Sequence, residues 1–89
     1  MKQRYLEVTY RRGKPMAAYL YLPRTAGAKS VRTVDAGRGM RIDYDATGAP
    51  MGIEIQAPFA VSSDEVSAVL ASIGQAPLPA EDWAPLRAA

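Results

Sequence analysis

The chain has 89 residues, 48% hydrophobic and 22% charged, which fits one small globular domain and excludes a disordered polyelectrolyte tail. It contains no cysteine and no histidine, which removes disulfides, thiolate or imidazole metal sites, cysteine nucleophiles and histidine general bases. The net charge of +2 conceals a split: ten of the eleven basic residues fall in residues 1–41, while residues 42–89 hold seven of the nine acids.

Strand signals fill the first two thirds. Tyr5 to Tyr10 alternates, with Leu6, Val8 and Tyr10 on one face and Tyr5, Glu7 and Thr9 on the other. Arg11-Arg12-Gly13-Lys14-Pro15 breaks that run with turn chemistry. Met16 to Leu22 alternates again, and pairing Leu6 with Leu20 brings Val8 to Ala18 and Tyr5 to Tyr21, so opposed residues share a face. A loop over residues 23–29 leads to a shorter strand at Ser30 to Val34, and Asp35-Ala36-Gly37-Arg38-Gly39 is a second breaker.

The clearest hairpin is Met40 to Ile55. Asp45-Ala46-Thr47-Gly48 has aspartate and glycine where a type I turn closing into a left-handed residue takes them. A four-residue loop sets Ile42 against Met51 and Met40 against Ile53. A three-residue loop would oppose Ile42 to Gly52 and scramble the apolar face.

After Pro58 the period changes. Ser62 and Glu65 stand at capping-box spacing, and Val66, Val69, Leu70 and Ile73 form one helical stripe that Gly74 stops. The predicted fold is α+β: an antiparallel β-meander of about five strands with one amphipathic helix on one face. Residues 1–74 form that domain and 75–89 a Pro-rich C-terminal tail. Pro77, Pro79 and Pro85 argue against a regular helix across 77–85, so Leu78, Trp83 and Leu86 must bury against some other surface, either a partner, a second copy or the chain's own sheet. So small a core also predicts a homo-oligomer that covers exposed sheet edges.

The stretch Gly39 to Ile55 (GMRIDYDATGAPMGIEI) resembles the YuzE-like bacterial domains of unknown function, whose core reads G-x-x-I-D-Y-D-x-x-G-x-x-x-G-I-E-I. Met16-Ala17-Ala18-Tyr19-Leu20-Tyr21-Leu22 is similar to that family's Ala-Leu-Tyr-Ile strand, so the resemblance covers about residues 16–57. Two features depart from the family: Arg11 to Pro15 replaces an acidic lead, and the helix and tail extend past its usual core. The family carries no established activity and hence no catalytic residue to transfer. Its members are commonly encoded beside small ribonuclease-type toxins, which implies an antitoxin-like binding role.

Asp43, Asp45 and Glu54 are the one carboxylate cluster. They are weighed as ligands for a hard cation against a plainer role in capping a turn and wetting an outer face, and the plainer role is preferred. Tyr5, Tyr19 and Tyr21 share the face opposite the apolar one, with Arg32 and Arg41 on the strands nearby. Such a surface suits a protein or dimer interface, or a platform for bases and phosphates; the absence of any RRM, OB or helix-turn-helix signature favours the interface. The charge split reads as a polyanion-binding half, as two complementary faces meeting in an oligomer, or as solvated edges. Neither the apolar run of roughly 18 residues that a spanning helix needs nor a signal h-region occurs, so a cytoplasmic protein off the membrane is expected. The expectation is a non-enzymatic protein-binding module, antitoxin-like, with no catalytic residue, metal or cofactor. The alternative is a nucleic-acid-binding module that uses Arg32 and Arg41 of the basic half.

Overall fold

Period-two alternation produces five strands, and the switch to a helical period after Pro58 produces the layer above them. The computed structural model describes residues 4–23 and 26–87, with the backbone alone at 85–87. Strands β1 (Tyr5–Arg11), β2 (Lys14–Tyr21), β3 (Arg32–Gly37), β4 (Met40–Tyr44) and β5 (Pro50–Ile55) precede a 3-10 turn at Pro58–Ala60 and helices α1 (Ser63–Ser72) and α2 (Ala80–Arg87). One antiparallel sheet has the order β1-β2-β5-β4-β3, and α1 packs on one side of it. The α+β class is as the pattern predicts. The first hairpin is joined to the β3-β4-β5 meander through β2 and β5, so the acid-bearing strands β4 and β5 lie among the basic ones. The two charge halves of the sequence are therefore interleaved in space.

The predicted register of β1 on β2 holds: Leu6 faces Leu20, Val8 faces Ala18 and Tyr5 faces Tyr21. Beyond Thr9 a bulge interrupts it. Tyr10 pairs with Pro15, which leaves Met16 as the extra residue and puts both Tyr10 and Met16 in solvent rather than in the core. Arg12-Gly13 and Arg38-Gly39 then make two-residue turns, with arginine at φ 54° and 56° respectively. Positive φ at both central residues matches the twist of the flanking strands, and it lets β3 run to Gly37 where a breaker was expected from Asp35.

The β4–β5 loop differs by one residue from the predicted four. Asp45 N–H donates to Ala49 O (2.9 Å) and Gly48 N–H to Asp45 O (3.0 Å), and the ladder resumes only at Tyr44 opposite Pro50. With a bulge at Met51, Ile42 faces Ile53 and Met40 faces Ile55, two residues along from the expected pairs. A two-residue shift preserves faces, so the apolar side stays intact. Gly48 holds φ 86° with open space beside it, so Gly48→Val is expected to cost about 1–2 kcal/mol through backbone strain alone. An unchanged thermal midpoint would contradict that conformation.

The core joins Ala18, Leu20, Ile53 and Ile55 of the central strands to Val61, Val66 and Leu70 of the helical layer. Helix α1 begins with the predicted capping box: Glu65 N–H donates to Ser62 Oγ (3.1 Å), and Ser62 N–H donates to Glu65 Oε1 (2.9 Å). The tail departs from expectation. Helix α2 does form, starting after Pro79, with Asp82 N–H donating to Pro79 O (3.0 Å) as its first turn. Pro85 lacks the N–H that Glu81's carbonyl would take, and the helix ends two residues later.

Trp83 and Leu78 are 3% and 5% exposed, inside the chain's own core. That corrects their candidacy as free interface anchors: the proline-bounded segment returns to the sheet that needs covering. Leu78 N–H donates to Ser67 Oγ (3.0 Å), and the Arg4 guanidinium donates to the carbonyls of Ala76 and Pro77. The side chain of Leu86 lies outside the described residues.

Candidate functional site

Two rows of side chains cross all five strands on the face opposite the helices. Register places Tyr5, Tyr21, Gly52, Asp43 and Thr33 in one row, and Glu7, Tyr19, Glu54, Arg41 and Asp35 in the other. On the helix side Ala18, Leu20, Met40, Ile42, Ile53 and Ile55 of the central strands are buried, whereas every side chain in these rows is exposed or half-buried. Tyr5, Tyr19 and Tyr21 are thus brought together as the alternation predicts. Tyr5 and Tyr21 stack with centroids 4.6 Å apart, and Tyr19 tilts against Tyr21 at 4.7 Å.

Hydrogen bonds tie the aromatic end of the face to its acidic end. Tyr19 OH donates to Asp43 Oδ2 (2.7 Å), and Thr33 Oγ1 donates to Asp43 Oδ1 (2.7 Å). Tyr21 OH donates to Glu7 Oε1 (3.2 Å). Gly52 permits this arrangement by close approach. A Cβ built there would meet the Tyr19 ring at 2.3–2.6 Å, so the tyrosine lies across a gap in the side-chain layer that only glycine leaves. The sequence gives Gly52 no role of its own, because only the pairing of β2 with β5 sets it beside Tyr19.

Asp43, Asp45 and Glu54 do not assemble as a metal centre. Asp43 is occupied by Tyr19 and Thr33, Glu54 stands between Tyr19 and Arg41 in register, and Asp45 belongs to its turn. Among the described residues, no three acidic side chains converge as ligands would. Asp45 Oδ1 accepts from Thr47 Oγ1 (2.6 Å), Thr47 N–H (2.8 Å) and Ala49 N–H (3.1 Å).

The Thr47 hydroxyl, followed by the Ala49 amide, holds the Asp45 carboxyl below its ordinary 3.8. A depressed folded-state pKa contributes stability above the unfolded value, and that contribution is lost as pH falls through the folded one. The hairpin is therefore expected to loosen below pH 3.8, and Asp45→Asn should lose less stability over that acid range. Acid-unfolding curves of the two proteins check this; identical curves would remove Asp45 from the account.

The arginines proposed as polyanion contacts are separated. Arg41 lies on the open face between Glu54 and Asp35. Arg32 is opposite Tyr44 on the helix side of the sheet, its guanidinium 4.6 Å from the Tyr44 ring centroid. The pair therefore cannot line one groove.

Chemically, the two rows offer stacked phenol rings, hydroxyls and four carboxylates (Glu7, Asp35, Asp43 and Glu54) against one cation, Arg41. That combination accepts cations, by charge and by ring face, and repels phosphate. Compared with known protein families, with curated proteins and with solved structures, the chain matches none.

Proposed function

We propose that this protein is a non-enzymatic binding module whose open sheet face docks on a basic protein surface. The observation that carries the reading is the composition of the two rows: three packed tyrosines beside four carboxylates and one arginine, on the side of the sheet away from the helical layer. Tyrosine gives contact area at small entropic cost, and the carboxylates select a cationic partner and speed its encounter. A small ribonuclease-like toxin, cationic because it binds RNA, has the matching chemistry. The resemblance of Gly39 to Ile55 to the YuzE-like domains supports the same antitoxin-like role. The nucleic-acid alternative is weakened by the acidity of the face and by the opposite placement of Arg32 and Arg41.

Affinity capture from the native cell tests the reading. The intact protein is expected to retain a basic protein that salt releases, and Tyr5→Ala with Glu54→Lys is expected to lose it. Equal capture by both proteins would overturn the proposal. So would tight, steeply salt-dependent binding to single-stranded RNA that disappears with Arg32→Glu and Arg41→Glu.

A further inference from the structure

One end of the molecule presents the opposite chemistry. The β1–β2 turn carries Arg11, Arg12 and Lys14, and these flank a shallow cleft walled by Pro15, Met16 and Phe59. Phe59 is 79% exposed and Met16, the bulge residue, 50%. Two apolar groups this open, rimmed by three cations with no acid in the lining, give the cleft the chemistry to meet an aromatic and acidic surface. The bulge at Thr9/Tyr10 creates it, because it turns Met16 out of the core alternation and toward Phe59.

We infer that this cationic cleft docks on the open tyrosine–carboxylate face of a second copy of the chain, so that the protein associates head to tail. The inference rests on the reading of the open face as a receptor for cations. Charge complementarity identifies the occupant: three cations meet a face holding four carboxylates and one guanidinium, and arginine side chains meet tyrosine rings. The contact joins two different patches, so each copy retains one free end, and growth continues unless the rotation closes a ring. A basic partner protein would compete for the same face and dissolve the assembly.

Sedimentation of the purified protein at increasing concentration, in low and in high salt, tests the inference. The mean mass is expected to rise with concentration in low salt and to fall toward that of one chain near 1 M salt, where the Debye length is about 3 Å. Arg11→Glu with Lys14→Glu should raise the concentration needed by about tenfold or more, and Glu7→Lys with Glu54→Lys should do the same. Mixed together, these two variants should associate again, because a reversed cleft then meets a reversed face. Phe59→Ser, at a site too exposed to disturb the fold, should also weaken association.

A protein that stays a single chain in low salt would overturn the inference, as would association that survives either reversal or a mixture that fails to recover. Partner capture by the Arg11→Glu, Lys14→Glu variant separates the two proposals. Retained capture without self-association leaves the open face as a partner site, and lost capture from that variant would count against both.

Discussion

Trp83→Ala is expected to lower stability by about 3–5 kcal/mol, the usual cost of truncating a large buried aromatic. In a domain of this size, each kcal/mol shifts the thermal midpoint by roughly 4–8 °C. The indole is 3% exposed and lies in one cluster with Leu20, Ile55, Leu70 and Leu78. Its removal opens a cavity that the short helix α2, weakened by Pro85, is poorly able to fill. The tail has further anchors in the Leu78–Ser67 hydrogen bond and in the Arg4 clamp on Ala76 and Pro77, so unfolding should begin there. Circular dichroism melts of the two proteins check the size of the effect. A folded variant with an unchanged midpoint would place Trp83 outside its own core and return it to the role of an intermolecular anchor.

That outcome separates what the sequence made legible from what it did not. The β1–β2 register followed from parity, because sliding it by one residue would turn Leu6, Val8, Leu20 and Ala18 outward. The capping box at Ser62 and the stripe at Val66, Leu70 and Ile73 followed from local chemistry. Parity could not give loop length, since four and five residues with a compensating bulge at Met51 bury the same face. The Thr9/Tyr10 bulge was equally silent, because Met16 continues the apolar alternation in sequence while leaving it in space.

Helix α2 was missed for a different reason. Three prolines suggested an extended tail, but the helix fits between Pro79 and the final turn, and tertiary burial of Trp83 outweighs local propensity. Of the candidate site, the three tyrosines were legible from alternation alone. Their acidic neighbours Glu54 and Asp43 were not, because the order β1-β2-β5-β4-β3 sets them beside Tyr19 and Tyr21 only through a pairing of strands distant in sequence. Alternation within the β3–β4 hairpin sends Arg32 and Arg41, close in sequence on adjacent strands, to opposite sides of the sheet.

Gly52→Val should damage the site and the fold together. A Cβ at residue 52 would lie 2.3–2.6 Å from three atoms of the Tyr19 side chain, well inside contact distance, so the ring must leave. Gly52 has no positive φ, so the backbone accepts a side chain and the whole cost falls on the displaced tyrosine. Eviction breaks the hydrogen bond from Tyr19 OH to Asp43, worth about 0.5–1.5 kcal/mol or somewhat more to a charged acceptor. It also disturbs the packing of Tyr19 on Tyr21, about 0.5–1.5 kcal/mol for an aromatic pair. Together these put the loss at about 1–3 kcal/mol. Valine's strand propensity recovers part of this, about 1 kcal/mol at most.

A double-mutant cycle isolates the cause. In a Tyr19→Ala background the gap is already empty, so Gly52→Val should then be neutral or stabilising, with a coupling of about 1–3 kcal/mol between the two positions. Partner capture should fall with Gly52→Val even at temperatures where the protein remains fully folded, because the ring that spans from Tyr21 to Asp43 is displaced. Equal costs for Gly52→Val in both backgrounds would show that Tyr19 does not lie over Gly52. The open face would then lose the element that joins its aromatic end to its acidic end.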